Sequence, residues 1–275
     1  MTGFEGKVAL VTGGARGQGR SHAVNLAKRG ADVVVFDILE QIPSVQYPMS
    51  TQSDMDETIK LIEEEGARAL AIKGDVRDYN SVADAVEATL AQFGRLDLVA
   101  ANAGILPTTG EQAQQLEAWN DTIATMLSGV YYTLRASTRP MIDSGRGGSI
   151  VITGSTSTFE GVAYNVNMLN PGQMGYGAAK HGVVALMKNF ARALGQYNVR
   201  VNLVAPMGVN TPMIVNDFFG PALREGAPPG WMQNAMNIDL VEPQDISEAV
   251  LWLLSDEARY VTGTSIAVDS GHLVM

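Results

Sequence analysis

The sequence has no cysteine, which excludes disulfides, thiolate zinc sites and a cysteine nucleophile. Histidine is scarce as well: His22, His181 and His272 lack metal-ligand spacing, so each is expected on a helix surface or in the core, and no metal is predicted. Positive charge is short. With 19 Lys and Arg against 29 Asp and Glu, the net charge of −10 would repel the phosphates that dominate nucleic-acid affinity, so no nucleic-acid partner is expected. No apolar run approaches the roughly 18 residues that span a bilayer, so no membrane partner is expected either. Glu5 and Lys7 lead straight into Val8-Ala9-Leu10-Val11, leaving no room for a signal peptide, and the chain is predicted to be cytoplasmic.

What is abundant is core-forming material. Of 275 residues 46% are hydrophobic and only 17% charged, below the roughly 25% typical of globular chains, so a sizeable core is expected. Short apolar runs at 7–11, 32–36, 67–73, 96–100, 149–152, 199–204 and 265–268 read as strands. Between them, 21–29, 54–65, 80–93, 116–137, 176–194 and 244–254 have helical period. This alternation predicts a doubly wound α/β fold with a seven-stranded parallel sheet. The motifs below use residues from 12 to 211, so one domain over 1–275 is expected. Three connections, at 38–53, 156–175 and 211–241, exceed the usual two to six residues, and the latter two are candidate substrate walls, with 212–241 as a loop insertion.

Directly after the first strand comes Thr12-Gly13-Gly14-Ala15-Arg16-Gly17-Gln18-Gly19, followed by a helix. Gly13, Gly17 and Gly19 would permit a tight turn and close backbone approach, and the free amides of the helix start suit a pyrophosphate, as in a Rossmann fold. Asp37, 18 residues beyond Gly19, ends the second strand, where a carboxylate can bind ribose hydroxyls and repel a 2′-phosphate. That favours NAD over NADP. Arg16 pulls the other way, since a guanidinium can pair with that phosphate.

Tyr176-Gly177-Ala178-Ala179-Lys180 puts a phenol and an ammonium on one helix face. Bringing a phenol from its usual pKa near 10 to about 7 takes roughly 4 kcal/mol, which a cation in a desolvated cleft can supply. Tyr176 could then take an alcohol proton as hydride leaves its carbon. Such a pair also arises by chance in any helix, so its weight comes from its company.

With the Thr12 to Gly19 loop, Ala101-Asn102-Ala103-Gly104 after strand four and Ser155 after strand five, the pair resembles the short-chain dehydrogenase/reductase family over nearly the whole chain. The resemblance implies that Ser155 holds the substrate oxygen, that Tyr176 is the acid/base and also contacts the cofactor, and that Lys180 lowers the Tyr176 pKa and binds the nicotinamide ribose. It places Asn102, Ala103, Gly104, Asp75 and Val76 around the adenosine half of the cofactor, and Pro206, Val209 and Thr211 near the carboxamide. Asn202 also matches the family's segment. Asp37-Ile38-Leu39, the insertion through Pro48, Ala179 to Val184 and Val209 to Ile214 are similar to the mycofactocin-coupled, carveol-dehydrogenase-like branch. That branch holds NAD tightly and oxidises hydrophobic secondary alcohols such as terpenols, which implies a redox partner that re-oxidises bound NADH. Family members usually assemble as homotetramers.

The chain departs from the family pattern in places. Met126 stands where the family has an asparagine that anchors a water relay to the lysine, and a thioether is only a weak acceptor. Met207 replaces a glycine, Gly154 stands where a second serine is frequent, and the 21 residues from Ser155 to Tyr176 exceed the family's separation. That longer segment brings Phe159, Val162, Tyr164, Val166, Met168, Leu169 and Pro171 towards the site. With Met213, Ile214, Phe218, Phe219, Trp231 and Met232 they suggest an apolar pocket and a hydrophobic substrate. Three readings follow: an NAD(H)-dependent dehydrogenase of hydrophobic secondary alcohols, a 3-oxoacyl thioester reductase, and an NAD-binding sensor or scaffold, the last supported by Met126.

Overall fold

Strands buried on both faces need apolar residues without alternation, and that is how this sheet is written. All five residues of β1 (Val8–Thr12) are buried, as are the last five of β2 (Asp32–Asp37). They pair in parallel with β3 (Ala69–Lys73), β4 (Leu98–Ala101), β5 (Gly148–Thr153), β6 (Val199–Pro206) and β7 (Ser265–Val268). The computed structural model describes residues 3–219 and 230–275. Among these the sheet order is β3-β2-β1-β4-β5-β6-β7. The order reverses between β1 and β4, which opens a crevice at their carboxyl ends.

Alternate residues of the same strands feed two cores. Ala9, Val11, Val33 and Val35 face α1 (Gly17–Lys28), α2 (Gln52–Glu64) and, beyond β6, α7 (Pro243–Leu254). Val8, Leu10, Val34 and Phe36 face the layer of α3 (Tyr79–Phe93), α5 (Gly129–Ser144) and α6 (Pro171–Leu194). α4 (Leu116–Ile123) packs along α6. None of the helices among the described residues is long and apolar enough to cross a membrane.

The expected strands and helices are all found, with instructive differences at their ends. α1 starts at Gly17, not 21, so the second half of the glycine loop is the first helical turn. α6 starts at Pro171, not 176, because Asn170 caps it by accepting from the Gln173 amide and Pro171 fits the first turn. The single helix expected over 116–137 is α4, a five-residue π turn at Ala124–Ser128, and α5, which continues past Pro140 to Ser144. A proline inside a helix costs about 3 kcal/mol. Fully buried Leu134 and Met141 flank it, and at roughly 1.5–3 kcal/mol each they outweigh that cost. Of the expected loop at 212–241, residues 220–229 lie outside the described residues.

His22 joins α1 to α7. Its Nδ1 lies 2.8 Å from Ser247 Oγ, and the fully buried Nε2 has no partner among the described residues. Burial lowers its pKa from 6.5 to about 3. Below pH 6.5 the unfolded chain therefore takes up a proton that the native fold refuses, so stability falls as pH falls from 6.5 towards 3. Urea unfolding at pH 7 and pH 4 should show the wild type losing roughly 3 kcal/mol more than His22→Gln. Parallel losses would mean that burial of this imidazole is not the cause.

Candidate active site

The crevice at β1 and β4 is floored by the glycine loop. Gly17 has φ +57°, a left-handed conformation that favours glycine. A β-carbon at Gly13 would lie 2.8 Å from Ala103 Cα, and one at Gly19 would lie 2.0 Å from the Gly13 carbonyl oxygen. Bare backbone is thus packed as tightly as it can be, and the α1 amino terminus, with no acidic residue in its first turn, opens on the cleft. Gly13, Arg16, Gly17, Gln18, Gly19, Asp37, Asp75, Val76, Asn102, Ala103, Gly104 and Thr211 all line this one cleft. Of the residues expected to hold a dinucleotide, Tyr176, Lys180, Pro206 and Val209 fall outside that lining: Tyr176 lines the neighbouring cavity, Lys180 is buried against Thr153, Pro206 pairs with Val268 and Val209 bridges to Val241.

Asp37 is buried rather than a solvated strand-end charge. Its Oδ2 accepts from the Ala15 amide at 3.0 Å, and its Oδ1 accepts from Ser50 Oγ at 2.5 Å. Arg16, its rival in choosing the cofactor, donates to the Pro48 carbonyl. Both Ser50 and Pro48 belong to the 38–53 insertion, which folds over the mouth of the cleft. Its Tyr47 is buried, and the phenol oxygen accepts from the Leu106 amide at 3.0 Å. Burial, above all, pushes the Tyr47 phenol far up, so it stays neutral. Asp75 is committed to Arg77, which also pairs with Asp121. In the sequence this insertion stands out as an over-long connection and a mark of the branch; the apolar spacing of Ile42, Val45 and Tyr47 is the signal that it packs inwards.

Lys180 Nζ donates to the Thr153 carbonyl at 2.8 Å, and Thr153 Oγ1 donates to Asn102 Oδ1 at 3.2 Å. Asn102 Nδ2 in turn donates to the carbonyls of Thr12 and Gly13 at 3.1 and 3.2 Å. One helical turn before Lys180, the Tyr176 phenol lies close enough to Ser155 for that hydroxyl to favour its ionised form. Ser155 Oγ also accepts from the Ser157 amide at 3.2 Å, so its own proton is available to a second partner. Burial raises the Tyr176 pKa and the Ser155 hydroxyl opposes the rise. Burial lowers Lys180 to about 8, and its Nζ stands 5.7 Å from the Tyr176 ring centroid.

The departures have structural reasons. Met126, in the π turn, is buried, with its sulfur 3.4 Å from where a β-carbon at Gly104 would lie; the polar partner of Lys180 is Thr153. At Gly154 a β-carbon would lie 2.6 Å from the end of the Leu203 side chain, so a serine there would have to push that leucine aside. Met207 lines a second cavity, of about 390 Å³, that opens beside Ser155 and Tyr176.

The wall of this cavity corrects the expected apolar set. Val162, Tyr164, Met168, Ile214, Phe219, Trp231 and Met232 line it, whereas Phe159, Val166, Leu169 and Phe218 are exposed, Pro171 starts α6 outside the lining and Met213 faces the other cleft. Short 3-10 turns at Thr156–Thr158 and Val166–Met168 make the loop turn alternate residues outwards. Thr108, Gln114, Glu160 and Gln173 take part of the wall, as does His272, which is neither a plain surface nor a core residue.

Residues 13–272 match the family described as enoyl-(acyl carrier protein) reductase, within the short-chain dehydrogenases. The chain belongs to the short-chain dehydrogenase/reductase family. This short-chain dehydrogenase/reductase is 47% identical to an oxidoreductase of Mycobacterium tuberculosis, over 98% of this chain and 96% of the other. It is 40% identical to (-)-trans-carveol dehydrogenase of Rhodococcus erythropolis, over 98% and 99%. The structure of carveol dehydrogenase from Mycobacterium avium in complex with NAD superimposes with a TM-score of 0.90 at 40% identity, covering 100% of both chains. Like them, the short-chain dehydrogenase/reductase described here is an oxidoreductase.

A Gly19→Ala variant tests the cradle. With its β-carbon 2.0 Å from a carbonyl oxygen, the loop must shift, and the dissociation constant for NAD should rise by at least about tenfold with the circular dichroism spectrum unchanged. Unaltered affinity would show that the loop does not carry the phosphates.

Proposed function

We propose that the protein is an NAD(H)-dependent dehydrogenase that interconverts a secondary alcohol with an apolar body and its ketone. The observation that carries this reading is that Ser155 and Tyr176 line one cavity of about 390 Å³, with Lys180 fixed one turn further on. The two carveol dehydrogenases, one of them in complex with NAD, support a cyclic alcohol and this cofactor. Asp37 supports NAD over NADP: buried and already hydrogen-bonded, it would meet a 2′-phosphate as a poorly screened like charge. The backbone cradle at Gly13 and Gly19 suits the pyrophosphate. Exposed Leu116 and Trp119 on α4 fit a homotetramer in which these helices meet.

When bound, NAD supplies the acceptor for the hydride that leaves the carbinol carbon. The chain's own residues handle the proton. Ser155, its oxygen already accepting from Ser157, donates to the substrate oxygen and fixes its position. Tyr176 takes the hydroxyl proton during oxidation and returns it during reduction. Burial alone makes the phenol a reluctant base by holding its pKa up. Lys180, still largely protonated at neutral pH with a pKa of about 8, places positive charge beside it, and Thr153 prevents that ammonium from swinging away. The pair titrates as a coupled unit.

The sign of that coupling is testable. Alcohol oxidation needs the phenolate, so kcat/KM rises with pH through the phenol's apparent pKa. In Lys180→Met the supporting charge is gone, and the rising limb should move up by at least about one pH unit while activity at pH 7 falls by at least about tenfold. An unshifted limb would remove Lys180 from this role.

The thioester reading is separated by initial rates with NADH and NADPH on a 3-oxoacyl thioester, set against NAD and NADP on a cyclic terpenol. An artificial electron acceptor is included in case NADH does not exchange. The dehydrogenase reading expects turnover of the terpenol with NAD, and loss of about a thousandfold or more in Tyr176→Phe. Full turnover in that variant would overturn it, and saturable NAD binding without any hydride transfer would favour a sensor.

A further inference from the structure

Ser155 and Tyr176 are not the only polar groups facing the substrate cavity. On the wall made by the loop after β5 and the C-terminal turn, His272 Nε2 lies 2.9 Å from Glu160 Oε1. The other ring nitrogen, Nδ1, lies 2.7 Å from the Gln233 carbonyl. An imidazole whose two nitrogens both meet acceptors is held as the cation. Burial alone would lower its pKa, but the bonds to Gln233 and Glu160 and the charge of Asp269 outweigh burial and raise it.

The carboxylate therefore has one satisfied oxygen and one open one. Glu160 Oε1 is taken by His272, whereas Oε2 has no hydrogen-bond partner among the described residues. The side chain is 33% exposed, partly shielded from water. Tyr164 stands near enough to feel it: burial first, then the Glu160 charge, raises the Tyr164 pKa. The Tyr164 ring meets Trp231 edge-on, with centroids 6.4 Å apart. Glu160, Tyr164, Trp231 and His272 all line the same cavity as Tyr176. Yet neither Glu160 nor His272 is hydrogen-bonded to Ser155 or Tyr176 among the described residues. One cavity thus holds two separate polar stations, with Val162, Ile214, Phe219 and Met232 supplying apolar wall.

An ionised carboxylate accepts hydrogen bonds and donates none. It rewards a donor brought to its open oxygen, gives nothing to an alkyl group and repels an anion. At about 390 Å³ the cavity falls in the range used for ligands well beyond a simple six-membered ring. The geometry points to a substrate with two polar ends: a secondary alcohol or ketone at Ser155 and Tyr176, and a hydroxyl or amine donor at the open oxygen of Glu160, joined by an apolar body. This inference rests on the dehydrogenase reading for the first of those ends, while the second stands on Glu160 and its surroundings.

Calorimetry on the NAD-loaded full chain tests it with three ligands that share a cyclohexanol ring. They are 4-(3-hydroxypropyl)cyclohexanol, 4-butylcyclohexanol and 3-(4-hydroxycyclohexyl)propanoate, with turnover of each followed in parallel. The wild type should bind the hydroxypropyl compound at least about tenfold more tightly than the butyl compound, and the propanoate most weakly. In Glu160→Leu the first two affinities should converge to within about threefold, and in Glu160→Gln the propanoate should gain. Equal affinity of the wild type for the hydroxypropyl and butyl compounds overturns the inference. So does a loss in Glu160→Leu that falls on both alike, because a mere tie between loop and C-terminal turn would weaken every ligand equally. Selective binding without turnover sustains the inference and sinks the dehydrogenase reading; turnover of both alcohols without selectivity does the reverse.

Discussion

A single hydrogen-bonded thread crosses the carboxyl ends of three strands and fixes everything the site does. It runs from Lys180 through the Thr153 carbonyl and hydroxyl to Asn102, and from Asn102 to the carbonyls of Thr12 and Gly13. Thr12 answers in kind, its Oγ1 accepting from the amides of Asn102 at 3.0 Å and Ala103 at 3.2 Å. Thr12, Asn102 and Thr153 are each tied to more than one neighbour, which holds the thread in one arrangement. The glycine loop on β1 and the lysine on α6, far apart in sequence, are thereby held in one register at the point where the sheet order reverses.

Around that thread, burial works against chemistry and is offset locally. The same exclusion of water that lowers Lys180 raises Tyr176, so neither ionises in its ordinary range. A hydroxyl at Ser155 and a carbonyl at Thr153 are the nearest compensations, and both come from the end of β5. Met126 fills space behind Gly104, while the polar contact to the lysine comes from the strand beneath.

The two recesses differ in kind. The dinucleotide cleft is built of backbone and roofed by an insertion whose Ser50 and Pro48 engage Asp37 and Arg16. The substrate cavity is built of long loops, with side chains of mixed polarity, and its far wall borrows the C-terminal turn through His272. Backbone sites tolerate little variation, whereas loop-built walls set what the enzyme accepts.

By itself the sequence determined the sheet, the glycine loop before α1, Asp37 at the end of β2 and the placing of Tyr176 and Lys180 on one helix face, because each depends on local spacing: unbroken apolar runs, glycines before a helix, and two side chains four residues apart; Ser155 came in through the family resemblance. It mistook the ends of α1, α5 and α6, where a helical glycine loop, a tolerated proline and an Asn–Pro cap carry the decision. Only the tertiary structure brought Thr153 to Lys180, turned Tyr47 and Ser50 inwards, and set Glu160 against His272 across 112 residues of chain. Those contacts join segments remote in sequence and depend on how loops fold over a cleft, for which neither hydrophobic period nor motif spacing carries a signal.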